Sequence, residues 1–108
     1  MLLALAAQSS EAFAASWAPG LEAGLPANAA STPIAYLNSV SCASAGNCSA
    51  VGYYYDGSVS QQGLLLTETA GTWATGVEAS PPANAGSNPA VHANSASCGA
   101  AGNCSAVG

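Results

Sequence analysis

Four cysteines stand in two pairs of identical spacing, Cys42 with Cys48 in "SCASAGNCSAVG" and Cys98 with Cys104 in "SCGAAGNCSAVG". Two thiols separated by five residues offer a disulfide, half of a metal site or a redox couple. Paired zinc ligands are spaced more tightly, by about two to four residues, and a redox dithiol takes the C-x-x-C form. The spacing therefore favours disulfides, and no metal site and no cofactor is expected. Four cysteines permit three pairings; the duplicated local spacing selects Cys42–Cys48 and Cys98–Cys104. Closing so short a ring contributes about 2 kcal/mol in the chain-entropy account.

Other reactive side chains are few. His92 is the single histidine, so any Cys-His or Ser-His mechanism would have to use it. It aligns with Tyr36 in the internal repeat described below, and a position that takes either ring reads as a half-exposed strand residue. Glu22 and Glu78 are equivalent positions that would act as a carboxylate pair only across a glycosidase cleft; they read as solvated strand residues. Asp56-Gly57-Ser58 has one carboxylate and no acidic neighbour, which makes a turn rather than a cage for a hard cation. No catalytic residue is expected.

The run Tyr53-Tyr54-Tyr55 is the candidate ligand contact. Strand alternation sends Tyr53 and Tyr55 to one face and Tyr54 to the other, so at least one ring is expected to reach solvent, and aromatic platforms suit sugars and partner proteins. Packing between repeats competes with that use and is the commoner fate of such rings. Asn47-Cys48-Ser49 and Asn103-Cys104-Ser105 fit the N-x-S glycosylation pattern, but in a tight cysteine loop Asn is expected for its tolerance of turn conformations.

Composition narrows the function classes. The 108 residues include no Lys or Arg against five acidic residues, for a net charge of −5. Without cations to neutralise phosphates, nucleic-acid binding is excluded as a reading, and so is attraction to an anionic membrane. Half the residues are apolar, with Ala the commonest among them, and there are only one Phe, two Trp and four Tyr. A rich core is not available. The opening "MLLALAA" is too short to span a bilayer and leads to Ala12-Phe13-Ala14, which has the small-x-small form of a signal-peptidase site. Residues 1–14 thus read as a signal peptide whose basic n-region is missing. The expected compartment is outside the cytoplasm, where disulfides persist.

Sliding the chain by 56 positions aligns Trp17–Gly52 with Trp73–Gly108 without a gap, and 23 of the 36 pairs are identical. The expected organisation is a first repeat unit over 15–71 and a truncated second unit over 72–108. Within one period the pattern is all-β. Strands are expected over 35–42, 48–56, 63–69 and 72–79, joined by turns at "ASAGN", at Asp56-Gly57 and at Ala70-Gly71. Trp73, Thr75, Val77 and Ala79 share one face of the fourth strand, and Trp17, Pro19, Leu21 and Ala23 repeat that face in the first copy. The Pro-rich "SPPANAGSNPA" then makes a long link. Four short antiparallel strands, three tight turns and one long crossover are the pattern of a β-propeller blade, with the ring incomplete in this length of chain.

The phrase S-C-x-S/A-x-G-N-C-S-A-V-G, with "YYYDG", "GLLLTETAGTW" and "PANA", resembles a tandem repeat of bacterial secreted, cysteine-bracketed proteins whose roles are largely unassigned and which themselves resemble β-propellers. The resemblance covers residues 16–108. "TETAGTW" is also similar to the Asp-box turn of sialidase-type propellers, but Thr69 stands where the Asp belongs and the turn is one residue short, so no sialidase activity carries over. The expected function is a secreted or cell-surface, non-catalytic scaffold or adhesion module. Its expected partners are further repeats of the same parent chain and an extracellular glycan or protein. The alternative is a fragment of an extracellular propeller-type carbohydrate hydrolase whose catalytic residues lie in other blades.

Overall fold

The computed structural model describes residues 16–108; the expected signal peptide lies outside the described residues. Seven strands and no helix make up the secondary structure of those residues: β1 (Ala35–Ser44), β2 (Asn47–Tyr55), β3 (Gln61–Thr69), β4 (Thr72–Trp73), β5 (Val77–Ala79), β6 (Ser95–Ala100) and β7 (Asn103–Val107). All pairings are antiparallel. The all-β, antiparallel part of the expected fold class is therefore observed.

The first five strands form one meander, β1-β2-β3 followed by β4 and β5, which both pair with β3. Its turns obey local backbone chemistry. Gly46 sits at φ +77° in the β1–β2 turn, and Ala70-Gly71, at φ +49° and +83°, joins β3 to β4. Positive φ at both central residues is the hairpin turn whose twist matches the flanking strands. Asp56 closes the β2–β3 connection: its Oδ1 accepts from the backbone N–H of Ser58 and Ser60, each at 2.9 Å, and its Oδ2 accepts from Gln62 Nε2 at 2.9 Å.

The two faces of the meander differ. One carries Ala50 and Tyr54 of β2 opposite Leu66 and Gln62 of β3, by register. On it Ala50, Tyr54, Leu64 and Leu66 form the core, against which Ala23, Leu25, Ala29 and Trp73 pack. The other carries Ser49, Val51, Tyr53 and Tyr55, along with Tyr36, Ser39 and Ser41 of β1 across the register. We call these the core face and the outer face.

Two sequence expectations need correction. The fourth strand is not continuous over 72–79, because Gly76 leaves the ladder: its N–H donates to the Gly24 carbonyl at 2.7 Å, and a Cβ there would stand 2.7 Å from Leu64 Cδ1. Val77 is consequently exposed rather than part of an apolar face shared with Trp73. Residues 16–25 form no strand, so the predicted face of Trp17, Pro19, Leu21 and Ala23 is not built. Strands β4 and β5 exist by pairing with β3, and no strand flanks Trp17–Ala23 among the described residues.

The second copy rebuilds the first hairpin. Cys98 pairs with Cys104 in β6–β7 as Cys42 pairs with Cys48 in β1–β2, and Gly102 repeats Gly46 with φ +74°. Asn38 interrupts the β1–β2 register, and its counterpart Asn94 lies just before β6 and donates its N–H to the Val107 carbonyl at 2.8 Å. Past that bulge the strands approach closely: a Cβ on Gly52 would collide with the Tyr36 carbonyl, and one on Gly108 with the carbonyl of His92, the counterpart of Tyr36.

Candidate functional site

Both disulfides are formed, Cys42–Cys48 with S–S 1.99 Å and Cys98–Cys104 with S–S 2.07 Å. Each bridges directly opposed residues of its hairpin, so alternation puts Ser41 and Ser49, the neighbours of the first bridge, on the opposite face. There they meet the second copy. Strand β6 lies over β1 and β2, and the Cys98–Cys104 bridge rests on the serine pair. Ser49 Oγ donates to Cys104 Sγ at 3.2 Å, and Cys98 Sγ, a half-cystine with no proton to give, touches the Ser41 carbonyl oxygen at 3.5 Å.

Backbone donors fix the register of this contact. The N–H of Ala96 donates to Ser39 Oγ at 3.2 Å, and that of Cys98 to Ser41 Oγ at 3.1 Å. Asn38 Nδ2 donates to the Ala93 carbonyl at 2.8 Å. Antiparallel alternation aims these β6 N–H groups away from β7, and an unpaired edge donor needs a partner. Val51 beneath the contact is only 3 % exposed. Ser39, Ser41, Ser49 and Asn38 thus form a site that the sequence reading missed. The available signal was that Ser41, Ser49 and Asn38 recur beside each cysteine pair as Ser97, Ser105 and Asn94.

The three tyrosines separate as alternation requires. Tyr54 is fully buried, which removes it as a ligand contact. Its hydroxyl lies 2.8 Å from Glu78 Oε2 and 2.7 Å from Asn28 Oδ1, and Asn28 Nδ2 donates to Glu78 Oε2 at 2.7 Å. Burial, and then the hydrogen bond to the Glu78 carboxylate, push the Tyr54 phenol up to about 12. Glu78 is therefore a structural acceptor rather than the solvated residue expected, whereas Glu22 is exposed. Tyr53 and Tyr55 are half-buried on the outer face. Tyr53 stacks on Tyr36 with centroids 5.0 Å apart, lies 4.5 Å from the His92 ring, and meets Tyr55 edge-on at 6.2 Å. Tyr36 and His92 are repeat counterparts, so one ring of the first copy touches the same position of both copies.

Asp56 is held below the usual carboxylate range, chiefly by the Gln62 side chain and then by the backbone of Ser60, with burial opposing and the Ser58 N–H adding to the effect. It caps a turn, and no cluster of three or more His, Cys, Asp or Glu suited to a metal occurs among the described residues. Asn47 is engaged at both amide atoms: Nδ2 donates to Ser44 Oγ at 2.9 Å, and Oδ1 accepts from the Ala70 N–H at 3.3 Å. On the core side a groove of about 680 Å³ runs between Trp17, Leu21 and Trp73 and the sheet residues Leu37, Val40 and Ala50.

Comparison with known proteins finds no matching family model, no similar curated protein and no similar solved structure.

Proposed function

We propose that this chain is a non-catalytic repeat scaffold working outside the cytoplasm, in which blade-like meanders stack face to face. Its outer aromatic edge, Tyr36, Tyr53, Tyr55 and His92, contacts an extracellular glycan or protein. One observation carries this reading: the second copy seats its cystine on the serine pair of the first, through residues that both copies possess. The link 80–94 supports the blade analogy, since it leaves β5 at one side of the meander and delivers β6 over β1 and β2, the crossover between neighbouring blades. Two disulfides in a chain with so small a core fit an oxidising compartment. Further repeat units would continue the stack.

The test is thiol trapping. Cells making the protein are treated with a membrane-permeant alkylating reagent before lysis, and the unreduced chain is weighed by mass spectrometry. The expected result is a mass lower by four hydrogens than the reduced chain, with no alkyl adduct, in the extracytoplasmic fraction. Alkylated cysteines in a cytoplasmic fraction overturn the proposal.

A further inference from the structure

The contact between copies is made by two different surfaces, and each hairpin carries both. In β1 the covered residues are Ser39 and Ser41, while Val40 and Cys42 are exposed; in β6 the counterparts Ala96 and Cys98 are partly covered, while Ser95 and Ser97 are exposed. Val51 is 3 % exposed beneath β6, but its counterpart Val107 is 67 % exposed. The outer face of β6–β7 therefore repeats a surface that is covered in the first copy. The core side of β1 likewise repeats the surface by which β6 does the covering, with Leu37 51 % and Val40 61 % exposed.

We propose that a second copy of this chain docks head to tail, placing Leu37, Val40 and the Cys42–Cys48 bridge of its β1–β2 hairpin on the Ser95, Ser97, Ser105 and Val107 face of β6–β7. The proposal deepens the scaffold reading and rests on it. The backbone and Asn38 contacts of the observed interface have their counterparts. The N–H groups of Val40 and Cys42 point away from β2, as those of Ala96 and Cys98 point away from β7, and they donate to Ser95 and Ser97. Asn94 Nδ2 reaches the Leu37 carbonyl as Asn38 Nδ2 reaches that of Ala93; Cys48 is buried, so Cys42 is the exposed half of the bridge. Docking also covers Val107 and Val40, which is the apolar gain. A contact between unlike surfaces leaves one of each free on the pair, so addition continues into a ring or filament rather than stopping at a symmetric dimer. The occupant is a second copy because the interface inside the chain already joins these two surfaces.

The experiment is analytical ultracentrifugation of the oxidised full chain over a concentration series, with two blocking variants. Ser97→Trp obstructs one surface and Val40→Asp the other; both positions are exposed, and circular dichroism checks each fold. The wild type is expected to grow beyond its 10.3 kDa monomer as concentration rises. Each variant alone stays monomeric, and an equimolar mixture forms a dimer and nothing larger, because one good surface of each kind remains. A wild type that stays monomeric up to about 1 mM, variants that associate like the wild type, or a mixture that stays monomeric would each overturn the proposal. A monomeric result leaves stacking within the chain untouched, whereas alkylated thiols in cells defeat the scaffold reading whatever the purified protein does.

Discussion

Strand β1 covers its serine side and opens its Val40 and Cys42 side, whereas β6, with nearly the same residues, does the reverse. The difference lies in the neighbours: the first hairpin has a copy above its outer face and the second has one beneath its core side. Burial in this protein is set by position in the stack. It follows that one substitution at two equivalent sites should have two different costs.

The largest contrast is expected at the close approach of strands beyond the bulge. Gly52→Ala drives a Cβ into the Tyr36 carbonyl within the central strand pair, and should lower stability by about 3 kcal/mol. Gly108→Ala meets the same obstacle at His92 but belongs to a two-stranded sheet, with no strand beside it as β3 lies beside Gly52, and should cost little. Urea midpoints of the two variants decide this. The two bridges come next. Replacing Cys42 and Cys48 by Ala should reduce global stability by about 2 kcal/mol. Replacing Cys98 and Cys104 should release β6–β7 locally, seen as faster hydrogen exchange at Val51 with the Leu64 and Leu66 amides unchanged.

A smaller effect is expected at the buried phenol. Tyr54→Phe removes the hydroxyl between Asn28 and Glu78 and should cost about 1 to 2 kcal/mol. Its pH dependence carries a sign: a phenol whose folded pKa is raised favours the neutral form in the fold. Its contribution is complete below about 10, the ordinary value, and is lost as the pH rises through about 12. An alkaline thermal melt of the wild type should show this decline, and the Phe variant should lack it. The smallest contrast sharpens the comparison most directly. Ser41→Ala deprives the Cys98 N–H of its acceptor and should cost about 1 kcal/mol, whereas Ser97→Ala should stay within about 0.5 kcal/mol. Equal costs at the two serines would remove the distinction between the faces.

Period-two alternation and turn residues made β1, β2 and β3 legible, because a strand with one buried face must alternate and a hairpin must bend where positive φ is tolerated. The bridges were legible from their spacing alone. The break at Gly76 was not, since it depends on the carbonyl of Gly24, fifty-two residues earlier. The Tyr54–Asn28–Glu78 group was hidden for the same reason: three distant segments meet, and only Tyr54 bears a local pattern. The role of Ser41 and Ser49 was present in "SC" and "CS" but unreadable without knowing that one hairpin lies on the other.

The contact between the Gly71 N–H and the Gly46 carbonyl, 2.9 Å apart, ties two bends of the meander together. Together with the anchored Asn47 amide, it makes that end of the molecule a poor place to graft foreign sequence, because lengthening either bend disturbs the other. The exposed stretch Pro82–Asn88 carries no comparable tie to the strands. An epitope or affinity tag spliced there should leave both cystines and their seating intact.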